Sequence, residues 1–301
     1  MFASFLTTIF FSLSVIFAAR SSRLLGSQTA NILRLLLATV LLGIWAHGFG
    51  SGVSGPGFRW FFLSGIIGFG LGDIALFGAL PRIGPRLSIL LTQCLAAPIA
   101  AVTEWAWLGT TLRTSELLCA AVILAGVALA LAPDHGWTGD KRVFWVGTLF
   151  GFGSALGQAF GAVVSRKANA VDALAGMGID GGTAAYQRIL GGALMTIIAV
   201  LLLRKFQPTD PAKAPADYRQ GLPFVVGNAL AGPTLGVGCY QWALKSTASG
   251  IVLPIVATSP LVTILLSLFI DHHRPTRRAV LGGLLAVAGA VALNLVQIWK
   301  V

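Results

Sequence analysis

The chain has 301 residues, of which 56% are hydrophobic and only 10% are charged. A soluble domain carries about 25% charged residues, so this chain has too few to cover a water-facing surface. The formal net charge of +11 does not indicate a nucleic-acid-binding protein, because Lys and Arg occur in ones and twos between apolar runs and form no continuous basic face. The composition excludes an ordinary soluble domain and predicts an integral membrane protein.

Ten apolar runs are long enough to cross a bilayer, which takes about 20 helical residues. In chain order they are 2–19, 28–46, 57–80, 84–108, 116–132, 143–165, 183–203, 222–244, 249–270 and 279–299. All the tryptophans lie at or near a predicted helix end, as is typical of the bilayer interface: Trp45, Trp60, Trp105, Trp107, Trp137, Trp145, Trp242 and Trp299. The sequence therefore predicts an all-α integral membrane fold with ten transmembrane helices.

Pairs of glycines spaced four residues apart recur inside these runs, for example Gly68 with Gly72 and Gly157 with Gly161. Such spacing allows helix backbones to approach closely in lipid. The glycines near Gly68 do not indicate a nucleotide-binding loop, because no strand precedes them and no P-loop Lys follows. We expect close helix packing at these positions.

The two halves of the chain resemble each other. Residues 29–44 align without a gap on residues 183–198, and helices four and nine each carry a proline, Pro98 and Pro260, which are expected to break their helices. Each half, 1–133 and 143–301, crosses the membrane five times. Because five is an odd number, the halves are predicted to be inverted repeats, with a solute site near the midplane between them.

Two segments carry a family resemblance: GLGDIALFGALPRIGPRLSILLTQCLAAP at 70–98 and GPTLGVGCYQWALKSTASGIVLPIVATSP at 232–260. With the two five-helix halves, they resemble the EamA-like branch of the drug/metabolite transporter superfamily. The fourth helix departs from the family's frequent Gly-Glu-Arg ending, since Gly109 is followed by Thr110 and Thr111, and 271–274 read Asp-His-His-Arg.

The resemblance implies two EamA-like repeats in a multi-pass protein of the bacterial inner membrane. It also implies export or exchange of a small-molecule substrate, such as an amino acid, metabolite or drug, without ATP. The substrate's identity, the coupling ion and the oligomeric state stay open.

Two acidic residues lie inside the predicted spans. A central Asp costs about 2.5–3.5 kcal/mol to insert, so something should compensate it. Asp73 is too deep to reach water along the lipid face and is expected to face a cavity or a partner such as Arg34; it is equally open to a structural ion pair and to a coupling or substrate role. Glu104 lies about one turn from its helix end, where it is a possible coupling charge or an interfacial one.

Arg34 and Arg188 occupy matching positions in the two halves, and we predict that each is the structural Arg of its repeat, reaching the headgroups or capping a neighbouring helix. Polar side chains near the midplane should face protein or a wet cavity. The predicted substrate pathway comprises Gln93, Gln158, Tyr240, Asp73 and Asn228, although hydrogen bonding between helices is an equal alternative for the two glutamines.

No chemistry of another kind is indicated. The three cysteines and the four histidines, His47, His135, His272 and His273, have no metal-ligand spacing, and neither a metal, a cofactor nor a nucleic acid partner is expected. Catalytic motifs of intramembrane enzymes are missing, so we predict that the chain is not an enzyme. An intramembrane enzyme, a channel and a receptor-like membrane subunit remain the alternatives to a transporter.

The orientation has two readings. Most of the Lys and Arg residues lie in the odd-numbered loops, which places both termini outside by the positive-inside rule. The resemblance instead implies that both termini are cytoplasmic. The longest polar connection, residues 204–221, is expected to lie outside the bilayer and to tolerate insertion.

Overall fold

The structure, a computed structural model, describes residues 1–132, 140–203, 217–270 and 276–298. Within these ranges it contains ten helices that are long and apolar enough to cross a membrane, which confirms the predicted all-α fold and helix count. Trp137, Trp299, His135, residues 271–274 and most of the 204–221 connection lie outside the described residues.

The helices are numbered in chain order. They are α1 Phe2–Leu25, α2 Ser27–Gly48, α3 Phe58–Gly84, α4 Leu87–Leu108, α5 Thr114–Leu131, α6 Lys141–Leu174, α7 Gly181–Leu203, α8 Tyr218–Ser246, α9 Ser249–Val256 with Ser259–Ile270, and α10 Arg277–Ile298. Gly84 separates α3 from α4 with a φ of 74°, a left-handed conformation that glycine adopts readily. The other six tryptophans all lie within a few residues of a helix end.

Successive helices cross in opposite directions, so their ends form two faces. We call the face where α1 begins the Met1 face and the face where α1 ends the Arg23 face. Helices α4, α6 and α8 end at the Met1 face, whereas α5 ends and α10 begins at the Arg23 face. The sequence leaves open which of the two faces is cytoplasmic.

Helices α3 and α8 each contain a π-helical segment. The segments, Ile66–Gly72 and Leu230–Gly236, are both seven residues long and are flanked by α-helix on both sides. Such segments are rare and frequently occur at functional sites. Their occurrence in the third helix of each half supports the predicted repeat, whose inverted arrangement stays a prediction.

Helix α6 crosses α3 at a contact between glycines. A Cβ on Gly157 would lie 2.5 Å from the Cα of Gly72, and one on Gly161 would lie 3.1 Å from the Cα of Gly68. No side chain fits between these backbones, which is the close packing expected from the four-residue spacing.

Helix α9 is interrupted before Pro260. The proline lacks an N–H, so it cannot bond the carbonyl of Val256, and the hydroxyl of Ser259 donates to that carbonyl instead at 2.6 Å. Helix α1 packs beside the interruption, where Thr8 donates to the carbonyl of Ile255 at 3.1 Å and Ser12 to that of Ser259 at 2.8 Å. Hydroxyl groups therefore satisfy the backbone where the helix stops.

Pro98 does not interrupt its helix. The expectation that both prolines break their helices is therefore wrong for Pro98. Helix α4 continues from Leu87 to Leu108 across it. A proline removes a single backbone hydrogen bond, and transmembrane helices tolerate that loss where their neighbours readjust.

Candidate functional site

A large cavity lies between the two halves and opens towards the Arg23 face. It has a volume of about 1020 Å³, and its lining includes Arg23 and Thr276 near the mouth and Pro260 at the interruption of α9. Arg23 and Thr276 are both exposed, so the mouth is solvent-accessible. The volume is large enough for a small organic molecule.

A smaller cavity of about 170 Å³ adjoins the large one on its inner side. The two share part of their walls, including Asp73, Gln93 and Phe69. The inner cavity is also lined by Gln158, Arg188 and Tyr240. Four of the residues predicted to line a pathway, Gln93, Gln158, Tyr240 and Asp73, thus meet at one place although they come from four helices.

Asp73 begins the α-helical part of α3 that follows the π segment. Its side chain is half-buried and lines both cavities. Asp73 and Arg34 share the cavity without an ion pair within 4.0 Å. Arg34 instead donates its Nε hydrogen bond to Oδ1 of Asn31 at 2.8 Å.

Arg188 lies at the inner end of the cavity, not at the headgroups. Its side chain is 6% exposed. The guanidinium stacks on the ring of Phe69 at 5.0 Å and on that of Tyr240 at 5.6 Å. Within the described ranges, its Nε and the Tyr240 hydroxyl are both buried without a hydrogen-bond partner. A cation held by two aromatic faces keeps the edges of its guanidinium available for an acceptor.

The two glutamines bond to each other across α4 and α6. Nε2 of Gln158 donates a hydrogen bond to Oε1 of Gln93 at 3.0 Å, and both side chains line the inner cavity. The structure therefore combines the two alternatives, since the amides connect helices and still face the cavity. Asn228 lies behind the wall, where it accepts a hydrogen bond from Ser14, a residue of the large cavity, at 2.7 Å.

Glu104 is buried inside the protein near the Met1 face, with 1% exposure. Its Oε1 accepts from Nε of Arg166 at 2.9 Å, and its Oε2 accepts from the backbone N–H of Ser249 at 2.7 Å and from the Ser249 hydroxyl. Arg166 also donates to the carbonyl of Leu244 at 2.8 Å. Glu104 thus lies near a helix end, as predicted, but binds α4 to α6, α8 and α9 instead of facing the interface.

Packed apolar side chains separate the inner cavity from this ion pair. Gln158 and Arg166 are eight positions apart on α6, which corresponds to about 12 Å of helix. In that interval Ala159, Ala162 and Val163 are fully buried in a cluster that α4, α8 and α9 complete. The cavity is therefore open towards the Arg23 face and closed towards the Met1 face.

Asp180 holds the start of α7 at the Met1 face. Its carboxylate accepts from the backbone N–H groups of Gly182 and Thr183, from the Thr183 hydroxyl, and from Nε1 of Trp45 at 2.8 Å. Burial acts to raise the pKa of Asp180, but the hydrogen bonds from Thr183, Trp45 and Gly182 together hold it below its usual value.

Sequence reasoning missed Arg166 as a functional or structural partner. It ended the sixth span at residue 165, because hydropathy falls at the first cation, whereas α6 continues to Leu174. It also treated Arg188 as a snorkelling or capping residue. For Arg166 the available signal is that a single cation does not by itself end a helix, whereas the sequence carries no comparable signal for the position of Arg188. No group of three potential metal ligands occurs among the described residues.

The comparisons with known proteins agree with this architecture. The model of the EamA-like transporter family matches residues 1–132 and 145–295, which together make up nearly the whole chain. No curated protein matches the sequence. A solved structure described as "Crystal structure of protein" is similar over 98% of this chain and 96% of that chain, with a TM-score of 0.74 and 19% sequence identity. That similarity shows the fold alone.

Proposed function

We propose that this chain, which belongs to the EamA-like transporter family, is a secondary transporter that exports or exchanges a small solute by alternating access. Proteins of this family are generally membrane transporters and not enzymes. The solute class implied by the family is broad, an amino acid, metabolite or drug, and the membrane we propose is the bacterial inner membrane. The observation that carries the mechanism is the central cavity, which opens at one face and is closed at the other.

In this mechanism the two ends of the path open in turn. Solute enters past Arg23, and it is held beside Asp73, Gln93 and Gln158. The buried cluster around Ala162 and Val163 then opens towards the Met1 face while the mouth closes. Because α9 is interrupted before Pro260 and lines the cavity there, its two parts can change their relative angle without exposing unpaired carbonyls.

Thiol labelling tests this proposal at two positions in a background with Cys94, Cys119 and Cys239 replaced by Ala. Leu76→Cys would line both cavities, and Val163→Cys would lie in the fully buried cluster beyond them. Reconstituted vesicles are treated with a membrane-impermeant thiol reagent on one side at a time. We expect Leu76→Cys to react from the Arg23 face, and Val163→Cys to react only from the Met1 face.

The alternatives give different results. A channel would allow both cysteines to react from the same face and would give a non-saturable flux. A receptor-like subunit would leave Val163→Cys unreactive and would show no flux in a metabolite-wide uptake and efflux screen of the same vesicles. An intramembrane enzyme would convert a solute of that screen without moving it. Each of these three outcomes contradicts the proposal.

A further inference from the structure

We propose that the cavity is selective for a small organic monoanion, whose carboxylate binds the guanidinium of Arg188; this proposal rests on the transport function above. The first observation is the state of Arg188 itself. It is a buried cation, and no hydrogen bond to its side chain is present among the described residues. A buried cation without an acceptor is costly, and a bound anion would remove that cost.

The second observation is the charge on the cavity walls. Of the described residues, the charged ones that line the two cavities are Arg23, Arg34, Asp73 and Arg188. Arg23 is exposed at the mouth and is hydrated. Among the described lining residues, the other two cations and one carboxylate leave one excess positive charge, which a solute with a single negative charge would balance.

The third observation is geometrical. Arg188 stacks on Phe69 and Tyr240, which fixes the plane of the guanidinium, and the unpartnered Tyr240 hydroxyl lies at the same cavity. A planar carboxylate can accept two parallel N–H groups from a guanidinium held in this way. The Tyr240 hydroxyl can donate a further hydrogen bond to it, and the aromatic rings provide an apolar surface for the body of the solute.

Two glycines make room for this arginine. A Cβ on Gly68 would lie 2.5 Å from Nη2 of Arg188, and one on Gly161 would lie 3.1 Å from it. The guanidinium thus occupies a slot that side chains would fill. Gly68→Ala should displace Arg188 without removing its charge, which makes it a positioning variant.

The test measures binding to the full chain in lipid nanodiscs by calorimetry. Four probes share one apolar body: 4-methylpentanoate, 4-methylpentanamide, leucine and 4-methylpentylamine, which are respectively an anion, a neutral molecule, a zwitterion and a cation. Acetate and phenylacetate extend the carboxylate series to smaller and larger bodies. We expect saturable binding of at least one carboxylate of the series, and weaker binding of the amide, the zwitterion and the amine.

Two variants localise the site. Arg188→Gln should weaken carboxylate binding by about tenfold or more, because a charge-assisted pair is lost. Gly68→Ala should weaken it in the same direction and provides the decisive result if Arg188→Gln does not fold. Gly153→Ala is the matched control on α6, since its Cβ would meet only Ala75 at an ordinary 3.5 Å, and binding should be unchanged.

The proposal is wrong if the amine or leucine binds as tightly as the carboxylate, if no carboxylate binds, or if a folded Arg188→Gln and Gly68→Ala both retain full affinity. Binding at equilibrium requires no transport. The protein could therefore bind carboxylates selectively while Val163→Cys stays unreactive, as expected for a receptor. That result would overturn the transport function but support the carboxylate site. Transport of cations alone would overturn the site and leave the transport function.

Discussion

The protein places charged side chains inside the membrane-spanning region at two sites that differ in how their charges are satisfied. At the closed end, Glu104 and Arg166 contact each other, and their remaining atoms bond to Ser249 and Leu244. At the cavity, Asp73 has no ion pair within 4.0 Å in the described part of the chain, and Arg188 has aromatic rings but no acceptor.

This difference separates two uses of the same residue types. A carboxylate and a guanidinium that satisfy each other hold helices together, and removing either leaves the other buried and uncompensated. Charges that face a cavity without partners cost stability in the empty protein and can be compensated by a solute. We therefore propose a structural role for Glu104 and Arg166, and a solute-facing role for Asp73 and Arg188.

The largest effect should come from breaking the satisfied pair. Glu104→Gln leaves the partly buried Arg166 without its carboxylate partner, and the free energy of unfolding should fall by about 3 kcal/mol. Steric trapping of the reconstituted protein measures that quantity. Asp217→Asn is the control, because Asn caps a helix about as well as Asp at this position, where Asp217 accepts from the N–H of Gln220. If the Glu104→Gln protein were as stable as the control, the Glu104–Arg166 pair would not stabilise the protein, and its contrast with the cavity charges would be wrong.

A smaller effect is expected at the start of α7. Asp180→Ala should cost about 1 kcal/mol at neutral pH, the usual value of a helix cap. Because the pKa of Asp180 is held below its unfolded value of 3.8, its contribution is complete above pH 3.8 and disappears as the pH falls further through the folded value. Unfolding of wild type and variant between pH 3 and pH 7 measures this, and a difference that grows on acidification would contradict it.

The smallest change in stability is expected at the cavity. Asp73→Asn removes a charge that contacts no partner directly, so the free energy of unfolding should change by less than about 1 kcal/mol. Vesicle transport should nevertheless fall sharply or change its pH dependence. Both assays should be run beside Glu104→Gln. Loss of several kcal/mol of stability would make Asp73 a structural partner of Arg34, and an unimpaired protein in both assays would defeat both roles.

The fold was predictable because bilayer physics is local. A run of about 20 apolar residues predicts a crossing wherever it occurs, and ten such runs gave the observed helices. Their ends were less predictable. Helix α6 extends nine residues beyond the predicted end at Ser165 because the charge of Arg166 is compensated by Glu104, 62 residues earlier in the chain. Such long-range compensation leaves no sign in a hydropathy window.

The site was predictable in its residue types and less so in its geometry. Polar side chains have a high free energy in lipid, so they were expected to face protein or a water-accessible cavity. Four of them line the inner cavity: Gln93, Gln158, Asp73 and Tyr240. The position of Arg188 could not be read in the same way. It depends on the π segment of α3 and on Gly68, which together bring Phe69 and a slot for the guanidinium beside it.

The hydroxyls beside the interruption of α9 have a consequence for biosynthesis. Thr8 and Ser12 bond to carbonyls that lie 247 residues later, so α1 enters the bilayer long before the ribosome has made its partner. Meanwhile each hydroxyl also bonds to a carbonyl four residues earlier in α1, that of Ser4 or Thr8. The hydroxyls of Thr8 and Ser12 are therefore hydrogen-bonded within α1 before α9 is inserted. When α9 packs against α1, it provides a second acceptor for each hydroxyl.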